Sequence, residues 1–217
     1  MEGIKFDEKP YAPQGRGEAM GMQKQERTKK WIASAFLELA DQVPPGKITV
    51  KMLCDRAGVN RSTFYYHFDS IQVLIHWIYH EEVNEPVLKL IREEKAYTEI
   101  SVLALSKIYE RKAFWKKVLR LKTADEFTDF LFRDTRENWK LLIAALLSDQ
   151  GQSMDELPRE KQRELEYIAE YYCAAHFHVT LLWMRQGMEL PPGEIASLMD
   201  SIASDGFFNA VQKTINP

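Results

Sequence analysis

Residues Ile48 to Phe68 read ITVKMLCDRAGVNRSTFYYHF, and this stretch decides the architecture. Val50, Leu53, Cys54 and Ala57 recur at i, i+3, i+4 and i+7, the spacing that lines up one apolar face of an α-helix. Thr49 stands just before them, its hydroxyl able to accept an orphan backbone N–H of the first turn. The pattern predicts a short helix from about Val50 to Ala57. Gly58 ends it, because a residue without Cβ takes left-handed backbone angles at no steric cost. Asn60 then caps a second helix. Val59 before that cap and Phe64 after it are placed as a hydrophobic staple, which sets the angle at which the second helix leaves the turn. Phe64 and Phe68 point inward, so Arg61, Ser62, Thr63, Tyr65, Tyr66 and His67 are left around the outside.

Two helices joined by a short turn containing Gly, the second carrying Arg, Ser and Thr in its first turn, describe a helix-turn-helix. On pattern alone an ordinary helical hairpin with polar outer residues fits equally well. The exposed groups suit DNA: Arg61 can bond a guanine edge bidentately or a phosphate, Ser62 and Thr63 can bond either, and the aromatic hydroxyls and imidazole can donate to phosphate oxygens.

The longer run ITVKMLCDRAGVNRSTFYYHFDSIQVLI closely resembles the DNA-binding segment of TetR-like transcriptional regulators, through its Thr49-Val50 pair, its Ala57-Gly58-Val59 turn, and Thr63-Phe64-Tyr65 followed by His67-Phe68. The resemblance implies an all-α protein with an N-terminal three-helix DNA-binding domain and a C-terminal helical domain for ligand binding and dimerisation. It also implies that Lys47, Thr49, Lys51, Asn60, Arg61, Ser62, Thr63, Tyr65, Tyr66 and His67 face double-stranded DNA. There are two departures. Ser62 holds a place often taken by Gly, and Ile71 stands where the family usually has a phosphate-contacting lysine, which removes one sequence-independent contact.

Composition sets outer bounds. The chain has 217 residues, 45% of them hydrophobic, enough for a sizeable core or for a small domain joined to a larger one. Its two cysteines, Cys54 and Cys173, fall on separate predicted helices and read as free thiols of a reducing cytoplasm. No apolar window reaches membrane-spanning length. The formal charge is −3, yet residues 24–79 carry eight cations against five carboxylates, a basic module on an acidic remainder.

Along the chain, residues 1–22 hold Gly3, Pro10, Pro13, Gly15, Gly17 and Gly21 without periodicity and read as a flexible tail. The helix-turn-helix domain is expected over 23–70 and the regulatory domain over 71–217. A first helix is predicted from Lys24 to about Asp41, buried through Ile32, Ala35, Phe36, Leu39 and Ala40, and broken at Pro44-Pro45-Gly46. After Phe68, Ile71, Leu74, Ile75 and Ile78 open a helix that leaves the DNA-binding domain, and Pro86 should kink or end it. Further helices are expected in 100–121, 124–147 and 158–187, with a last one from Ile195.

The two C-terminal helices, joined by Pro191-Pro192-Gly193, resemble the family's dimerisation element. A two-fold dimer presents two recognition helices about one DNA turn apart and reads a pseudo-palindrome. The function expected is a homodimeric regulator, most readily a repressor, released from its operator by an effector bound in the C-terminal domain. Trp77, Tyr97, Tyr109, Phe114, Trp115, Phe127, Phe130, Trp139, Tyr172, His176 and Trp183 supply either core or pocket walls there. The segments LLWMRQGMELPPGEIASLM and EFTDFLFRDTRENW are similar to a branch that includes regulators of dihydroxyacetone utilisation, where a partner protein can deliver the signal instead. No catalytic residue, cofactor or metal is assigned. His76 and His80 are spaced i, i+4 but lack a third ligand, and Cys173, His176 and His178 do not share one face with a paired base.

Overall fold

The computed structural model describes residues 16–216, with side chains from Gln23 onward, Ser204 excepted. All regular structure among them is helical: α1 Arg16–Gln42, α2 Val50–Ala57, α3 Arg61–His67, α4 Ile71–Tyr79, α5 Glu85–Arg92, α6 Tyr97–Glu110, α7 Lys112–Val118, α8 Ala124–Ser148, α9 Arg159–Arg185 and α10 Pro192–Ile215. Among the described residues no helix is long and apolar enough to cross a membrane.

Local chemistry sets the boundaries of α2 and α3. Thr49 accepts from the Met52 amide at 3.2 Å, and Gly58 closes α2 in the left-handed region at φ 64°. Asn60 accepts from the Thr63 amide and opens α3. Ile32, Phe36, Leu53, Phe64 and Phe68 are buried together, so α1, α2 and α3 share one core.

Two expectations change. Helix α1 begins at Arg16 rather than Lys24. Glu18, Ala19, Met20, Met22 and Gln23 are good helix formers, and they outweigh Gly17 and Gly21, which cost about 1 kcal/mol each. Of the tail expected to Met22, residues 1–15 lie outside the described residues and the rest is helix. The regular α-helix does stop before Pro86, at Tyr79, but the helical run continues past it. Between α4 and α5 the chain makes one π-helical turn, His80–Asn84, in which the Glu85 amide reaches the His80 carbonyl five residues back. Pro86 thus falls in the first turn of α5, directly after this change of helix type.

The body is built on α8 and α9, with α10 lying against α9 and α6, and α5 against α6 and α8. The main core runs from Phe36 and Phe64 without interruption to Trp115, Phe127 and Trp183. Phe36 meets Phe114 edge-on at 6.1 Å, and the Lys117 ammonium donates to the Ala40 carbonyl at 2.6 Å, satisfying an orphan acceptor at the end of α1. The three-helix unit is therefore seated on α7. Cys54 and Cys173 are both buried free thiols.

Candidate nucleic-acid interface

The outer surface of α3 follows from one residue. Asn60 Oδ1 accepts three bonds, from the Ser62 hydroxyl at 2.6 Å, the Thr63 amide at 2.7 Å and the Thr63 hydroxyl at 2.9 Å. Both hydroxyl protons are thus directed back at the cap, and the oxygen lone pairs are left pointing outward. An outside group reaches Ser62 and Thr63 as acceptors, or as donors once the hydroxyls rotate.

Arg61 and Ser62 are exposed. Tyr65 and Tyr66 are 54% and 70% exposed, more than a packing role would leave for rings of that size. They stay ordered through ring contacts: Tyr65 stands edge-on to buried Phe64 at 5.3 Å, and Tyr66 edge-on to His67 at 5.0 Å. Gln25 on α1 donates to the Tyr66 phenol oxygen at 3.0 Å, which leaves the phenol proton free to donate. His67 is half-buried, and burial, reinforced by the Lys29 charge, lowers its pKa from 6.5, so the ring is neutral at pH 7 and carries a single N–H donor. Lys47, Thr49 and Lys51 are exposed at the entrance to α2, and Ile71 is half-buried at the start of α4.

All ten residues singled out in the sequence therefore stand on the three-helix unit, at the entrance to α2 and along α3 with its cap. Gln25 was not among them, since its partner lies 41 positions away and no local pattern connects the two. Arg56, basic and nearby in sequence, is tied to Glu38 on α1 at 2.8 Å.

Behind this surface the connecting segment α4, π turn and α5 forms one wall of a cavity with room for about 70 Å³ of water-sized contents. Tyr79, Val83, Asn84, Val87 and Ile91 come from that wall, and the remaining lining comes from α6, α8 and α9. Tyr97 and His176 are hydrogen-bonded across the cavity at 2.9 Å. Asn138 donates to Asn84 at 2.8 Å, and Asn84 meets His80 at 3.3 Å. The Thr180 hydroxyl is buried without a partner, and the Ser101 hydroxyl lies beside the Tyr97 phenol without an aligned bond. Burial pushes the Tyr97 pKa up to about 12 and holds His176 down at about 4, so both are neutral.

Of the eleven large side chains considered as core or pocket, Tyr97, Trp139 and His176 line the cavity. Phe114, Trp115, Phe127 and Trp183 are buried core. His76 stacks on Phe130 at 4.3 Å while His80 turns to Asn84, Glu85 and Asp134, so the two imidazoles do not converge.

Comparison with known proteins gives a consistent picture. Residues 32–77 match the family described as "Bacterial regulatory proteins, tetR family", and residues 96–205 match "Transcriptional regulator C-terminal region". A curated relative, the HTH-type dhaKLM operon transcriptional activator DhaS of Lactococcus lactis, is 27% identical over 166 residues, covering 74% of this chain and 81% of that protein. Among solved structures, the dihydroxyacetone kinase operon activator DhaS superposes with a TM-score of 0.61 at 19% identity, over 84% of this chain and 97% of that one. A tetR-family transcriptional regulator from Streptomyces coelicolor gives 0.51 at 14% identity, over 88% and 89%. At those identities the solved structures speak for the fold, and the two matched profiles speak for descent: the chain belongs to the TetR family of bacterial transcriptional regulators.

Proposed function

We propose that this protein is a homodimeric, sequence-specific DNA-binding repressor, held on a pseudo-palindromic operator by α3 and released by an effector bound in the C-terminal domain. The observation that carries the reading is the division of α3: Phe64 is wholly buried while Arg61, Ser62, Tyr65 and Tyr66 stand clear of the molecule. Arg61, Ser62, Thr63 and Tyr65 serve base edges or nearby phosphates, Tyr66 and His67 serve phosphates, and Lys47, Thr49 and Lys51 hold the backbone at the entrance to α2. Asn60 organises the first turn.

Dimerisation is supported by a stripe of large apolar side chains facing outward on α9 and α10. Tyr171 is 69% exposed and Ile202 75%, with Tyr167, Leu182, Leu198 and Phe208 also exposed. Large apolar side chains left in solvent along two packed helices are the kind of surface a partner covers.

The cavity supports an uncharged effector of a few heavy atoms. No Lys, Arg, Asp or Glu lines it, and its titratable groups are neutral, so an ionic ligand would lose its hydration without a counter-charge. A hydroxyl or carbonyl on the ligand would find the Thr180 and Ser101 hydroxyls and the Asn84 and Asn138 amides. Because Val83 and Asn84 sit in the π turn, a ligand pressing on them acts on the segment that continues into α4 and the DNA-binding unit.

A second reading is favoured by the relative described as an operon activator. Operator occupancy upstream of a promoter recruits rather than blocks, and a partner protein then supplies the signal to the outside of the body. The class is tested by anisotropy or gel shift on DNA from upstream of the protein's own gene at two salt concentrations. A steep salt dependence with a retained preferred sequence is expected. Absence of any sequence preference would refute the regulator reading.

A further inference from the structure

Residues 111–122 read RKAFWKKVLRLK, with Arg111, Lys112, Lys116, Lys117, Arg120 and Lys122 as cations and no carboxylate, in a chain whose formal charge is −3. Part of this run has structural work. Arg111 is paired with Glu82, Lys112 lies 4.7 Å over the Tyr109 ring, and Lys117 bonds the end of α1. Arg120 and Lys122, in the connection between α7 and α8, are exposed, and among the described residues neither has a carboxylate at ion-pair distance.

Their location gives them a partner. Leu121, between them, packs its Cδ2 2.9 Å from where a Cβ on Gly46 would stand, and Gly46 immediately precedes Lys47. Successive Cα atoms are about 3.8 Å apart. Arg120 and Lys122 therefore share a corner of the molecule with Lys47, Thr49 and Lys51, although they belong to the other half of the chain. Four exposed cations at one corner repel one another until a polyanion neutralises them. A protein partner would want an exposed aromatic or aliphatic anchor, and Leu121, the one large apolar side chain between the two cations, is turned onto Gly46.

We propose that the connection between α7 and α8 is a second phosphate-binding surface, with Arg120 and Lys122 holding the DNA backbone beside the contacts made at the entrance to α2. The proposal rests on the DNA-binding reading above. It makes the regulatory half a direct part of the DNA footprint. Trp115 fixes α7 in the main core, so the grip of Arg120 and Lys122 on the backbone depends on how the body is seated over the three-helix unit.

The test uses full-length protein and a labelled duplex selected from a random pool by the unaltered protein. Binding is followed by anisotropy at several salt concentrations. The slope of log affinity against log salt falls by about 0.9 for each phosphate that is no longer neutralised. Arg120→Gln with Lys122→Gln should lower it by about 1.8 per bound subunit and leave the preferred sequence unchanged, while either single replacement gives half that change. Arg120→Lys with Lys122→Arg should keep the original slope. An unchanged slope in both the single and the double glutamine variants overturns the proposal while leaving the regulator reading intact. So does an equal fall in the charge-conserving pair, which would mean that packing rather than charge had been disturbed. A changed base preference also overturns it, because the two residues would then be reading sequence. If the unaltered protein selects no duplex at all, the regulator reading fails and takes this proposal with it.

Discussion

Replacing Asn60 separates the two roles assigned to it. Its Oδ1 accepts from the Ser62 hydroxyl, the Thr63 amide and the Thr63 hydroxyl at 2.6 to 2.9 Å. Asn60→Ala removes the cap of a helix only seven residues long, too short to persist without one. Losing an N-cap of this kind costs about 1 kcal/mol. In a chain of this length that lowers Tm by roughly 2 to 4 °C, measured by circular dichroism or calorimetry. DNA affinity should fall about fivefold, the same free energy being needed to order α3 on binding. Asn60→Asp provides the contrast. Its carboxylate still accepts from the same donors and sits favourably at a helix N-terminus, so Tm should stay close to that of the unaltered protein. Its charge faces the phosphates, so affinity should drop further than in Asn60→Ala. If the aspartate variant loses as much Tm as the alanine variant, or if the alanine variant melts at the original temperature, Asn60 does not stabilise α3 as a cap. If the aspartate variant binds DNA as well as Asn60 does, this turn does not face the duplex.

Arg61→Ala should cost about 1 to 3 kcal/mol in operator affinity and relax preference at one position in a selection assay, whereas equal weakening on every sequence would assign Arg61 to phosphate. Tyr66→Phe should lower affinity without altering preference, since only a phosphate donor and the Gln25 bond are removed. Ile202→Glu places a charge on the outward stripe of α10 and should convert a dimer to a monomer in sedimentation velocity without changing the helical circular dichroism signal; a persistent dimer would place the interface elsewhere. For His176 the sign is fixed by burial. The folded protein refuses a proton down to about pH 4 while the unfolded chain accepts one near pH 6.5, so this group's contribution is lost as pH falls through that window and is flat below it. His80 acts oppositely: the Asp134 carboxylate beside it, 3.8 Å away, raises its pKa, giving stability that is present at low pH and lost as pH rises through the folded value. Between about pH 5 and 7.5 the rise in melting temperature should therefore be smaller, or a fall larger, in His176→Gln than in the unaltered protein.

Legibility in the sequence tracked the range of the interaction concerned. The Thr49 and Asn60 caps, the left-handed Gly58 and the inward Phe64 and Phe68 were all readable, because each is settled within one or two turns by hydrogen-bonding capacity or apolar period. Helix α1 starts earlier than Gly17 and Gly21 suggest, because the residues around them favour helix strongly enough to absorb both. Pro86 is incompatible with a continuing α-helix, and that much is legible in the sequence. The remedy, an inserted residue in the turn before it, leaves no periodic trace over so short a span.

By itself, then, the sequence determined the helical class, the helix-turn-helix and the polarity of its second helix, because period, caps and turn residues act through the nearest few positions. Only the tertiary structure decided which groups meet: Gln25 with Tyr66, Tyr97 with His176 and Lys117 with Ala40 are 41, 79 and 77 positions apart. It alone also sorted the aromatic side chains, placing Tyr97, Trp139 and His176 on a cavity and Trp115 and Phe127 in the core. A side chain's burial within an all-helical body depends on which face of which neighbour it meets, and that is a property of packing between distant segments, not of composition or spacing along one of them.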